Sequence, residues 1–374
     1  MLAGFACPCC GDNWLMRIVH VATSPQPDGF STALRHLGAG YQRAGHQFTA
    51  IVGGDAASRA ETASGTRITV RAAASAHGFV ATADAVRRIL TELAPQRLEV
   101  SDRLGLRGLG VWAEANSVPA VMVLPGAAPA WLIRVVPDLV GYHHAVCTSA
   151  DVARTLSSAM PGRVAEVRMG VDLVAFSPLR WSADARHRHL GANTVLLVST
   201  GRLSPANAPH LAIEALDELL HRGIDSRLIV VGEGPLRPRL VRQAAGLPVD
   251  FVGRLPDERA FATLLASADV FIEAGRDLAG NLAALESLAA GTPVVVSAGA
   301  GFPAPASWQS DGPTGRQFAD AIERVLHRPV ENRRTQARAL AARQPWRSTV
   351  AGMLAVHDVV TAGIVASVHP AVED

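Results

Sequence analysis

The chain has 374 residues, enough for two domains that each bury a core of their own. Hydrophobic residues make up 49% and charged residues 18%, a balance that excludes extensive disorder. The formal charge of +2 is too small to argue for a nucleic-acid partner, and no run approaches the roughly 18 apolar residues of a membrane-spanning helix.

Residues 1–15 lack the basic start and apolar middle of a secretory signal and are expected to form a poorly ordered extension. Cys7, Cys9 and Cys10 lie there without the partner ligands that a closed zinc site needs. Strands are expected at Arg17–Ala22, Phe48–Val52, Leu98–Val100, Ala120–Leu124 and Ala145–Thr148, where Cys147 reads as core. Helices are expected at Ser31–Ala44, with Ser31 as its N-cap, and at Thr82–Leu93 and Leu104–Asn116. Such alternation gives a parallel sheet.

The second half repeats the pattern. Strands are expected at Val195–Thr200, Arg227–Val231, Val249–Val252, Val270–Glu273 and Pro293–Ser297. The helices between them are Pro209–His221, Pro235–Ala245, Asp257–Ala266 and Asn281–Ala290, the last stopped by Gly291. The joint falls in Gly170–Asn193, so the expected domains are 16–175 and 176–345. Residues 346–374 hold a helix, over Trp346–Ala362, that returns to the first domain, and a tail. No cysteine demands an oxidising compartment, and a cytoplasmic location is expected.

Four segments of the second half now stand in order: Gly170-Val-Asp172 with Phe176-Ser-Pro178, Gly201-Arg-Leu-Ser204, Val231-Gly-Glu-Gly-Pro-Leu236, and Ala283 to Ser297. With Leu98-Glu-Val-Ser-Asp-Arg103 they make the chain resemble the GT-B glycosyltransferases of the GT4-like family. Within these it looks most like the actinobacterial enzymes that mannosylate phosphatidylinositol mannosides from GDP-mannose. The resemblance implies two facing Rossmann-like domains and a retaining, metal-independent hexosyltransferase with no cofactor. It implies a nucleotide-diphospho-sugar donor such as GDP-mannose, a hydroxyl acceptor on a glycolipid or another molecule, and a peripheral place on the inner membrane face. The oligomeric state stays open.

The resemblance also assigns residues. Arg202 follows a buried strand, where its fork can grip a pyrophosphate and stabilise the departing charge. The family's second cation is replaced by Asn207. Gly232 and Gly234 are expected to let backbone approach the nucleotide, and Val252–Leu255 to meet the base. Glu286 is the final acid of the family's glutamate pair and meets the ribose. Leu278 stands where the first acid belongs, with Asp277 beside it as a substitute. Gly280, Asn281 and Leu282 complete that sugar-facing turn. Gly29, at a helix entrance, faces the diphosphate.

Asp102 and Arg103 are acceptor-side candidates, with a local salt bridge as the plain alternative. Pro125-Gly126 stands where relatives often place a histidine. His20, His46, His143 and His144 read as structural. The altered positions leave two further readings open: a degenerate homologue that binds without transfer, and an enzyme of other chemistry on the same fold.

Overall fold

The computed structural model describes residues 15–23, 29–71, 76–101, 106–124, 141–187, 194–275, 282–298, 302 and 304–368. The N-terminal lobe runs β1 (Arg17–Ala22), α1 (Phe30–Arg43), β2 (Gln47–Gly54), β3 (Ser58–Thr62), β4 (Gly65–Arg71), α2 (Ala76–Leu93) and β5 (Arg97–Val100). It continues with α3 (Leu106–Ala115), β6 (Ala120–Leu124), β7 (His144–Cys147), α4 (Ala150–Ala159) and β8 (Val164–Glu166). Its sheet has the order β3-β4-β2-β1-β5-β6-β7-β8, and all neighbours are parallel except β3 and β4.

After the joint come α5 (Ala183–His187), β9 (Val195–Thr200), α6 (His210–His221), β10 (Ser226–Val231), α7 (Arg237–Gln243), β11 (Val249–Gly253) and α8 (Glu258–Ser267). The C-terminal lobe then adds β12 (Val270–Glu273), α9 (Leu282–Ala289), β13 (Val294–Ser297), β14 (Gln309–Ser310), α10 (Gly315–Leu326) and α11 (Val330–Ala342). Its six strands are all parallel, in the order β11-β10-β9-β12-β13-β14. Central strands such as Val195–Thr200 and Val270–Glu273 are apolar because helices cover both faces of such a sheet.

Two departures from the sequence reading have clear causes. Ser31 lies inside α1, and the cap is Gly29 at φ 81°, a left-handed conformation that glycine adopts without strain. The β3–β4 hairpin was not expected, because every β3 residue is exposed and no alternation marks it.

The two crossings between lobes lie side by side. Val171 N–H donates to Gln344 O at 2.8 Å, and Gly170 packs so closely on Trp346 that a Cβ would stand 2.5 Å from its Cα. Asp172 Oδ1 accepts from Val174 and Ala175 N–H, and Arg338 of α11 donates to the carbonyls of Leu173 and Phe176. The Gly-Val-Asp and Phe-Ser-Pro segments therefore build the hinge.

The last helix, α12 (Trp346–Val368), packs on α1, with Trp346 stacked on His36 at 4.9 Å. A fully buried carboxylate fastens it. Glu99 accepts from Tyr41 at 2.6 Å, His20 Nδ1 at 2.7 Å and His357 Nε2 of α12 at 2.9 Å. Burial alone would raise the Glu99 pKa. The hydrogen bonds and charge of His20 and His357 overcome that and hold it well below the usual carboxylate range. Glu99→Ala leaves three buried donors without their acceptor. It is expected to lower stability by about 3–5 kcal/mol, read as a fall in the urea midpoint.

Candidate nucleotide-sugar site

In each sheet the strand order reverses at one place, between β1 and β5 in the first lobe and between β9 and β12 in the second. A crevice opens at the carboxyl ends of strands at such a reversal, and ligands of open α/β sheets gather there. Arg202 follows β9, and the helix carrying Glu286 follows β12. Gly29 follows β1 on the opposite lobe, and a Cβ built on it would stand 3.3 Å from Leu282 Cβ, at the first residue of α9. The starts of α1 and α9 therefore meet across the gap between lobes, and the two reversal points face one another.

The turns after β9, β10 and β11 are stitched into one surface. Leu203 N–H donates to Glu233 O, Leu236 N–H to Leu203 O, and Gly232 N–H to Gly253 O. The packing itself requires two of the glycines. A Cβ on Gly232 would lie 2.0 Å from Gly201 O, and one on Gly234 2.5 Å from Leu203 O. At both positions the need for glycine arises from turn packing on turn, because the space is filled by protein. Gly234→Ala is expected to cost about 1–3 kcal/mol, seen as a lower Tm, because the obstructing atoms are backbone.

Arg202 is exposed on this surface. Asn207 Nδ2 donates to Arg202 O at 2.9 Å, so this amide braces the turn that carries the guanidinium. Val252 is 37% exposed beside the turn, while Leu255 packs on the core.

Glu286 is 6% exposed in the apolar helix α9. Burial pushes its pKa up to about 8, with Glu258 adding to the rise and Arg35 opposing it. A buried acid at the mouth of a switch-point crevice suits a ligand that brings hydroxyls.

Two acids and a cation here escaped the sequence reading. Glu273 ends β12, is 4% exposed, and accepts from Gly275 N–H at 3.2 Å. Its signal was present as an acid closing a Val-Phe-Ile strand. Arg35 of α1 pairs with Glu258 of α8 across the lobes, and nothing in the sequence links residues so far apart. The candidates Asp102, Arg103, Asp277, Leu278, Gly280 and Asn281, and the Pro125-Gly126 departure, lie outside the described residues. His143 and His144 sit at the start of β7 with pKa values lowered chiefly by burial, and His20 belongs to the Glu99 cluster.

Comparison with known proteins agrees with this layout. Residues 194–328 match the family model described as glycosyl transferases group 1. A GDP-mannose-dependent alpha-(1-6)-phosphatidylinositol dimannoside mannosyltransferase of Mycobacterium tuberculosis is 37% identical over 363 residues, covering 91% of this chain and 95% of that protein. Among solved structures, a glycosyltransferase from Rickettsia africae has a TM-score of 0.74 at 13% identity, over 93% of this chain and 99% of that one. Anabaena HepE in complex with UDP and glucose has a TM-score of 0.71 at 17% identity, over 91% and 99%. These two likenesses concern the fold, which is GT-B. The length and level of the mycobacterial match settle the family: the chain belongs to the group 1 glycosyl transferases.

Proposed function

We propose that the protein transfers mannose from GDP-mannose to a hydroxyl of a glycolipid acceptor, with retention at the anomeric carbon. The observation that carries this reading is the meeting of Gly29 with the start of the Glu286 helix at the facing switch points, where Arg202 follows β9. The similar mycobacterial protein, named for GDP-mannose and a phosphatidylinositol dimannoside, supports the choice of donor and acceptor.

The reaction breaks the bond between the sugar and the β-phosphate oxygen, and negative charge collects on the leaving diphosphate. Arg202 offers two parallel donors to that charge. Free N–H groups at the start of α1 after Gly29 add a positive field on the other side. Glu286 holds the ribose hydroxyls and so fixes the distance between base and sugar. The acceptor oxygen attacks the face the leaving group departs from, and its proton passes to the departing phosphate oxygen. Both bonds balance without a dedicated base. Asp277, Leu278, Gly280 and Asn281 are proposed to face the sugar, and Asp102 and Arg103 the acceptor.

No helix among the described residues is long and apolar enough to cross a membrane. A peripheral place on the cytoplasmic membrane face gives the enzyme access to a lipid acceptor. Incubation with GDP-mannose and phosphatidylinositol mannosides is expected to yield GDP and one new α-mannoside, read by proton NMR of the anomeric signal. Failure of every nucleotide sugar to bind would overturn the proposal. Asn207 favours one second reading, a homologue that binds donor without transfer, because it leaves this turn without the second cation. Binding with no transfer to any acceptor is the outcome that selects it.

A further inference from the structure

The two lobes meet at opposite sides of the crevice. At the hinge they are joined by backbone, through Val171 and Gln344. At the ligand-facing side, α1 and α8 approach each other, and Arg35 forms an ion pair there with Glu258. Among the described residues this is the one ion pair joining the first sheet domain to the second. The Arg35 side chain is 52% exposed and that of Glu258 35%, so the pair is wet and reachable by salt. Glu258 opens α8 directly after its N-cap Asp257, at the positive end of the helix.

Arg35 lies on α1, whose cap Gly29 meets Leu282 at the start of the Glu286 helix, and the charges of both partners reach Glu286. We propose that Arg35 is a positioning residue for the donor: its ion pair with Glu258 holds the lobes closed over Glu286 and the Arg202 turn. This rests on the transferase reading for its kinetic consequence, though not for its structural one. A wet ion pair contributes little to the folding of either lobe. Closure, however, is an equilibrium between two arrangements of lobes that stay folded, and a small bias there changes the fraction ready for donor. Uniform weakening of closure raises the donor KM and leaves turnover at saturation nearly unchanged.

The test is a charge exchange. Arg35→Glu and Glu258→Arg are each expected to raise the donor KM about three- to tenfold at low salt, with kcat within about twofold of the parent. The double variant restores KM, because the pair re-forms with its ends swapped. Small-angle X-ray scattering of the ligand-free proteins gives a second readout that needs no turnover: the radius of gyration rises in each single variant and returns in the double. Single variants that match the parent in both readouts, or a double variant that restores neither, would overturn the inference. Scattering that follows the swap in a protein with no transferase activity would keep the latch and remove the proposed function.

Discussion

Arg202→Ala is expected to lower kcat about 100- to 1000-fold while the protein stays folded. The magnitude is that of removing one fixed donor from a developing anion. It should be at the upper end here, because Asn207 stands where the family has a second cation, and its amide braces the Arg202 carbonyl. The turn has backbone bonds of its own. Its backbone is held by Gly201 N–H to Val231 O and Leu203 N–H to Glu233 O, both 3.0 Å. Removing an exposed side chain from such a turn changes stability by less than about 0.5 kcal/mol. Arg202→Lys keeps the charge without the fork and should fall between the two. Stopped assays at saturating donor, beside thermal melts, separate the effects. A variant with unchanged kcat would remove Arg202 from the mechanism.

Glu286→Gln should separate stability from function in opposite directions. In the folded protein Glu286 has a pKa of about 8 against a reference value of 4.5. Between those values the folded state holds a proton that the unfolded state has released. Stability from this group is therefore fully present below pH 4.5 and is lost as pH rises toward 8. Glutamine has the same shape and no proton to hold. The variant should lack this slope and be more stable than the parent above pH 8 by up to several kcal/mol. The same change weakens the acceptor proposed to grip the ribose hydroxyls, and donor affinity should fall about 10- to 100-fold. Denaturant titrations at several pH values, with donor binding at each, check both halves. A pH-independent difference in stability would show that Glu286 is not protonated in the free site.

Much of the fold was legible because fully buried parallel strands leave short apolar runs between turns. Arg17–Ala22, Ala120–Leu124, Val195–Thr200 and Val270–Glu273 were read to the residue for that reason. Elements held by pairing or by arginine were not. β3 is a wholly exposed strand that exists through its pairing with β4. α11 reads as a polar segment, and its arginines fasten it: Arg333 is 5% exposed, and Arg338 serves carbonyls of the hinge. The Glu99 cluster joins β1, α1, β5 and α12, and no local pattern announces such a meeting.

The places of Arg202 and Glu286 in the fold were legible, since each lies at a fixed distance from a recognisable strand, and their roles are proposals. The packing need at Gly232 and Gly234 was not legible, because the sequence does not show which turn lies against which. Arg35 and Glu258 sit on ordinary amphipathic helices, and only the approach of the lobes gives their charges a shared purpose.

The account rests on a diphosphate nucleoside held between one guanidinium and one buried acid. Isothermal titration of GDP into the parent protein, Arg202→Ala and Glu286→Gln measures that grip without requiring catalysis or an acceptor. The expected result is saturable one-to-one binding by the parent, weakened by each substitution. Equal affinity in all three proteins would contradict the site.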